Sequence, residues 1–161
     1  MSFDRKAYNR TDPRVNPRVA EACEQVANIL GWEIQLREVE DYLWDWDIVN
    51  ADGRPAIVES QVKEGWWGKE FPYNTVFILS RYARKEHTQM EAVAYRPCYQ
   101  LILSNDLKQA VVVDWSILRA YGGKETVWDY HRNEWCDNLT IGRDFCTLVD
   151  IENEVILHEA F

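Results

Sequence analysis

Glycine is scarce, with seven residues in 161, and no group of them forms a phosphate-cradling run or a Gly-x-Ser-x-Gly elbow. P-loop nucleotide hydrolysis and acyl transfer are disfavoured on that ground, and no nucleotide cofactor is expected. Histidine is scarcer still: three residues offer no acid-base triad with a Ser or Cys nucleophile. The four cysteines (Cys23, Cys98, Cys136, Cys146) include no Cys-x-x-Cys clamp. His131, Cys136 and Cys146 therefore make a poor zinc set, and reduced, buried thiols are expected. No apolar run approaches the roughly 20 residues that span a bilayer, and MSFDRKAYNRTDPRVNPR has no signal-peptide core. A soluble, cytoplasmic chain without a membrane partner is the expectation.

Positive charge is also in deficit, 18 Lys and Arg against 27 Asp and Glu, a net charge of −9. That balance argues against a nucleic-acid partner, but its distribution does not. Arg5, Lys6, Arg10, Arg14 and Arg18 face only Asp4 and Asp12 in the first twenty residues, and Arg81, Arg84 and Lys85 form a second cluster. Residues 124–161 carry nine acids against three bases.

What is abundant is apolar and aromatic: 47% hydrophobic residues and eight Trp predict one folded domain over residues 1–161. Residues 1–15 read as a polar, basic arm, 16–121 as a core and 122–161 as a strand-rich C-terminal extension. Asn16-Pro17 predicts a helix start, Val19, Ala20, Cys23, Val26, Ala27 and Leu30 recur at helical spacing, and Gly31 ends the run. Strands are expected over 32–36, 98–103 and 110–113, with helices over 81–94 and 115–121 and weaker strand signals at 126–130, 145–149 and 154–157. Thr75–Ser80 reads as a short buried strand or the lead into a helix. The order helix, strand, strand, strand, helix, strand predicts an α+β or α/β sandwich around a mixed sheet.

The chemistry concentrates in YLWDWDIV-NADGRP-AIVESQVK, two alternating runs joined at Asp52-Gly53, which predicts a β-hairpin over 42–63. Side chains alternate faces along a strand. Asp45 and Asp47 therefore share one face of the first arm; Ile57, Glu59, Gln61 and Lys63 share one face of the second. Three acids, an amide and an ammonium on adjacent strands are the inventory of a hard-metal site. Beyond it, Trp66 and Trp67 lie between Gly65 and Gly68, where they could stack on bases or pack the loop.

A helix bearing a glutamate, then a strand, a strand with Asp, and a strand with Glu-x-Lys resembles the core of the PD-(D/E)xK nuclease superfamily. That superfamily includes Holliday-junction resolvases, restriction enzymes and phage-type exonucleases. The resemblance covers about residues 17–114, with Asp47 at the motif's Asp and Glu59 at its second acid. Gln61 stands where the lysine is expected, as in some active Glu-x-Gln restriction enzymes, and Lys63 lies two positions on. The resemblance implies a restriction-endonuclease-like αβββαβ core and hydrolysis of DNA phosphodiesters with Mg²⁺, for which Mn²⁺ would substitute. It further implies metal binding by Asp47 and Glu59, an outer ligand from Glu21 or Glu24, and water positioning by Gln61 or Lys63. Arg81, Arg84 and Lys85 would hold the DNA backbone, and a homodimer would be ordinary for such a protein. Two rival readings remain: a nuclease-fold protein without catalysis that binds nucleic acid or a protein, and a small acidic interaction module that takes a basic partner.

Overall fold

The computed structural model describes residues 16–35, 46–78, 96–130 and 133–160. Helix α1 (Pro17–Leu30) begins where the Asn16 side chain accepts from the Arg18 N–H at 3.1 Å. It ends at Gly31, whose φ of 73° lets its N–H reach the carbonyls of Ala27 and Asn28. Val19, Ala22, Cys23, Val26 and Ala27 form its buried stripe.

Seven strands make the main sheet, taken in chain order: β1 (Glu33–Gln35), β2 (Trp46–Val49), β3 (Pro55–Lys63), β5 (Cys98–Ser104), β6 (Gln109–Asp114), β9 (Thr147–Asp150) and β10 (Val155–His158). Each pairs with the next in that order, and every pair is antiparallel except β3 with β5. A parallel neighbour cannot be reached by a tight turn. Residues 64–97 make the crossover, and on the way β4 (Thr75–Ile78) leaves the main sheet. It joins a smaller sheet of order β4-β8-β7, with β7 at Gly123–Asp129 and β8 at Glu134–Gly142. Helix α2 (Trp115–Tyr121) follows β6 directly, capped by Asp114, whose carboxylate accepts from the Ser116 N–H at 2.8 Å. The fold is α+β, a mixed, strand-rich arrangement with two helices among the described residues. No helix of these is long and apolar enough to cross a membrane.

The main sheet buries a core on each face. Helix α1 covers one face, where Val19, Ala22, Cys23 and Val26 meet Ile48, Ala56, Val58, Leu101 and Leu103. The small sheet and α2 cover the other, packing Val76, Ile78, Ile141, Trp115 and Leu118 against Ile57, Cys98, Ile102, Val111 and Val113. Gly122 sits at the joint between α2 and β8. A Cβ there would collide with the Leu118 carbonyl and lie 2.8 Å from that of Thr140. Gly122→Ala is expected to cost about 1–3 kcal/mol through forced backbone shifts, read as a lower midpoint in urea unfolding.

Several expectations need correcting. β8 carried no sequence signal strong enough to predict it. Its buried positions include Cys136 and Asn138, while Trp135 is exposed, so polarity and burial do not alternate together. Phe145 belongs to a 3-10 turn (Arg143–Phe145), and β9 starts at Thr147. The residues past 122 are shared between both sheets, since β9 and β10 extend the main one. The helix expected over 81–94 and the arm of residues 1–15 lie outside the described residues.

Candidate functional site

The β2–β3 hairpin is built around Asn50. Its side-chain oxygen accepts from the N–H groups of Asp52 (3.1 Å) and Arg54 (3.0 Å), and Gly53 takes the left-handed φ of 79° that the turn requires. The Asn50 amide also donates to the Tyr99 hydroxyl at 3.1 Å, tying the turn to β5. Asn50→Ala would strip two backbone donors and one side-chain contact, and an expected loss of about 1–3 kcal/mol is readable by thermal unfolding.

The register fixes which side chains meet. Asp47 lies opposite Ile57 on β3 and Gln35 on β1, and Glu59 lies beside Gln100 on β5. Asp47 and Glu59 are therefore diagonal neighbours on one face, with backbones about 7–8 Å apart, within reach of two carboxylates converging on one ion. This face grades from open to closed. Glu33 and Gln35 on β1 are exposed, Asp47 is half-buried, Glu59 is 6% exposed and Gln100 is 0% exposed.

Gln61 and Lys63 continue the row along β3. The Gln100 amide donates to the Gln61 carbonyl oxygen at 3.1 Å, while the Gln100 carbonyl oxygen has no hydrogen-bond partner among the described residues. Buried without one, such an oxygen costs about 1–3 kcal/mol. Lys63 is half-buried at the C-terminal end of β3, with its ammonium 5.4 Å from the Tyr73 ring centroid. Burial pulls its pKa below the ordinary 10.5. Between that lowered value and 10.5 the unfolded chain binds more protons than the folded one, so stability rises with pH across the window. Lys63→Met should abolish that rise and be the more stable protein at neutral pH, measured by urea unfolding at a series of pH values.

The other expected residues do not all join this face. Glu21 and Glu24 are exposed on α1, which packs against the opposite face of the sheet, so the sheet separates them from Asp47 and Glu59. Trp66 is 1% exposed and belongs to the core, whereas Trp67 is 61% exposed, which divides the tryptophan pair. Asp45, Arg81, Arg84 and Lys85 lie outside the described residues.

Sequence reasoning passed over Gln100, Asn50 and Tyr99. The signal for Gln100 was there: one amide in the middle of the apolar run CYQLILS. For Asn50 it was an Asx residue opening a Asp-Gly turn.

The donors suit a hard cation. Carboxylate and amide oxygens match Mg²⁺, which takes one or two carboxylates and keeps much of its water, and do not match zinc's preference for N and S. The orphaned Gln100 oxygen adds an unsatisfied acceptor beside Glu59 and Gln61. No cluster of three or more His, Cys, Asp or Glu able to hold an ion occurs among the described residues, so the set rests on two carboxylates. No family model matches the chain, and no curated protein matches it either.

Proposed function

We propose that this chain is a metal-dependent nuclease that hydrolyses DNA phosphodiester bonds at the Asp47–Glu59 face. The observation that carries the reading is the pairing of an antiparallel β1-β2-β3 meander with a parallel β5, with Asp47 and Glu59 diagonal on one face at its open-to-buried border. That order, after an N-terminal helix, supports reading the chain as a restriction-endonuclease-like core.

Asp47 and Glu59 would hold Mg²⁺, and the ion when bound supplies Lewis acidity toward the phosphodiester and a more acidic water. The half-buried Asp47 faces the side from which a phosphate can approach, while Glu59 anchors the site from beneath. Gln61 is held by its carbonyl oxygen against Gln100, which leaves its amide N–H groups to orient the attacking water. Lys63, four residues beyond Glu59 on β3, adds positive charge farther along the same face, where it draws phosphate toward the pair.

The test is cleavage of end-labelled DNA with increasing Mg²⁺ or Mn²⁺. Asp47→Asn is expected to lose cleavage while still unfolding in one cooperative transition. Wild-type protein inert in both metals, or Asp47→Asn cutting at the wild-type rate, would end the proposal. One observation favours a second reading, a DNA-binding protein on the same scaffold without catalysis: Gln61 replaces the motif lysine and spends its carbonyl on Gln100. That reading expects DNA binding that is indifferent to divalent ions.

A further inference from the structure

A cleft of about 490 Å³ opens on the α1 side of the main sheet, lined by Asn16, Arg18, Val62, Glu64, Trp67 and Asn105 among others. It lies at the C-terminal ends of the parallel strands β3 and β5, and the sheet separates it from the face bearing Asp47 and Glu59. Its volume falls in the range of small-ligand sites, roughly 300–1,000 Å³.

Trp67 is the feature that folding does not explain. Its neighbour Trp66 does the structural work of the loop: it is buried edge-on to Phe71, and its indole N–H donates to the Lys69 carbonyl at 2.7 Å. The loop is then clamped to the β5–β6 turn. The Asn105 N–H donates to the Trp66 carbonyl at 2.7 Å, and the Asn105 side chain donates to the Glu64 carbonyl at 2.9 Å. Gly68 takes a left-handed φ of 55°, and a Cβ there would meet the Asp106 carboxylate at 3.1 Å. On the other wall Leu107 holds φ at 62°, a strained conformation for a leucine. Two hydrogen-bonded loops thus hold a large aromatic ring in solvent at the mouth of a polar cleft that the exposed Arg18 also lines.

We propose that this cleft takes one unpaired nucleotide of single-stranded nucleic acid. The base stacks on Trp67, Arg18 pairs with the adjoining phosphate, and the polar groups of Glu64 and Asn105 face the base edge. Stacking on an indole needs an unstacked base, and a single guanidinium suits one phosphate better than a duplex backbone. The Glu64 carboxylate opposes a second phosphate but accepts readily from base amino groups.

The experiment is fluorescence anisotropy of a short, mixed-sequence labelled oligonucleotide at low salt with EDTA present, so that no metal-held contact or cleavage intervenes. Wild type should bind the single strand more tightly than the matching duplex. Trp67→Ala should weaken single-strand binding roughly 5- to 150-fold, and Trp67→Phe should retain most of it. Arg18→Gln should also weaken it and reduce the salt dependence by about one phosphate contact. Trp135→Ala, which removes an exposed aromatic from the small sheet, should change nothing. Equal binding by Trp67→Ala and wild type, a duplex bound as well as the single strand, or no single-strand binding would overturn the assignment. Binding lost on Trp67→Ala in a protein that never cuts DNA would leave the cleft standing and remove only the nuclease reading.

Discussion

Glu59→Gln is expected to lower Mg²⁺-dependent cleavage by about a thousandfold, since a metal-stabilised transition state is worth several kcal/mol and each 1.36 kcal/mol is a decade in rate. The substitution keeps the shape of a side chain that is 6% exposed while removing its charge, so no cavity forms beneath the hairpin. A neutral amide contributes one oxygen to an ion but none of the charge that offsets its dehydration. The loss should therefore persist at saturating DNA and recede in part as Mn²⁺ is raised. Glu59→Ala is the less informative variant, because it opens a void beside Gln100 and mixes instability with lost metal affinity. Rates are to be measured under single-turnover conditions, with Glu21→Gln and Glu24→Gln as controls. Those glutamates are exposed on the far side of the sheet, and both controls are expected to cut at the wild-type rate.

Trp66→Ala should be the most destabilising single change at the loop, by about 3–5 kcal/mol, the range of large-to-small aromatic substitutions in cores. Three terms add. The indole is 1% exposed, so its whole apolar surface returns to water on unfolding. Its edge-on contact with Phe71, with ring centroids 5.2 Å apart, disappears. The Lys69 carbonyl loses its donor. Chemical denaturation should show a lower midpoint with the slope unchanged. Trp67→Ala should shift the midpoint by less than about 0.5 kcal/mol, as surface changes do. Identical midpoints for the two variants would contradict the division of labour between these adjacent tryptophans.

Much of the hairpin was legible because two local signals agreed. Period-two alternation set the faces of Asp47, Glu59, Gln61 and Lys63, and Asp52-Gly53 set the turn; the observed register has those faces. Helix α1 was legible for a similar reason, with Asn16, Pro17 and Gly31 marking both ends of one apolar stripe. Which face of the sheet α1 would cover was not legible, because both faces of β3 and β5 bury apolar residues. For the same reason the side of the sheet on which Glu21 and Glu24 lie was not legible. Nor could single residues reveal that Trp66 is core and Trp67 surface. Both sit in the same short loop, and only the positive φ of Gly68 and the clamp from Asn105 turn one inward and the other out. β8 escaped because its burial is set by pairing on both sides, with β4 and β7, rather than by its own polarity.

The parallel seam between β3 and β5 also has a kinetic meaning. The β2–β3 and β5–β6 hairpins each close through a short turn, but the seam that joins them waits on the crossover of residues 64–97. Pairings distant in sequence form slowly, because loop entropy is lost before contacts compensate. Gln100 reaches Gln61 and Glu59 only across that seam, and the clamp beneath Trp67 spans the same gap. The Gln100 contacts and the clamp beneath Trp67 thus depend on a sequence-distant pairing, whereas the β2–β3 hairpin alone brings Asp47 and Glu59 together.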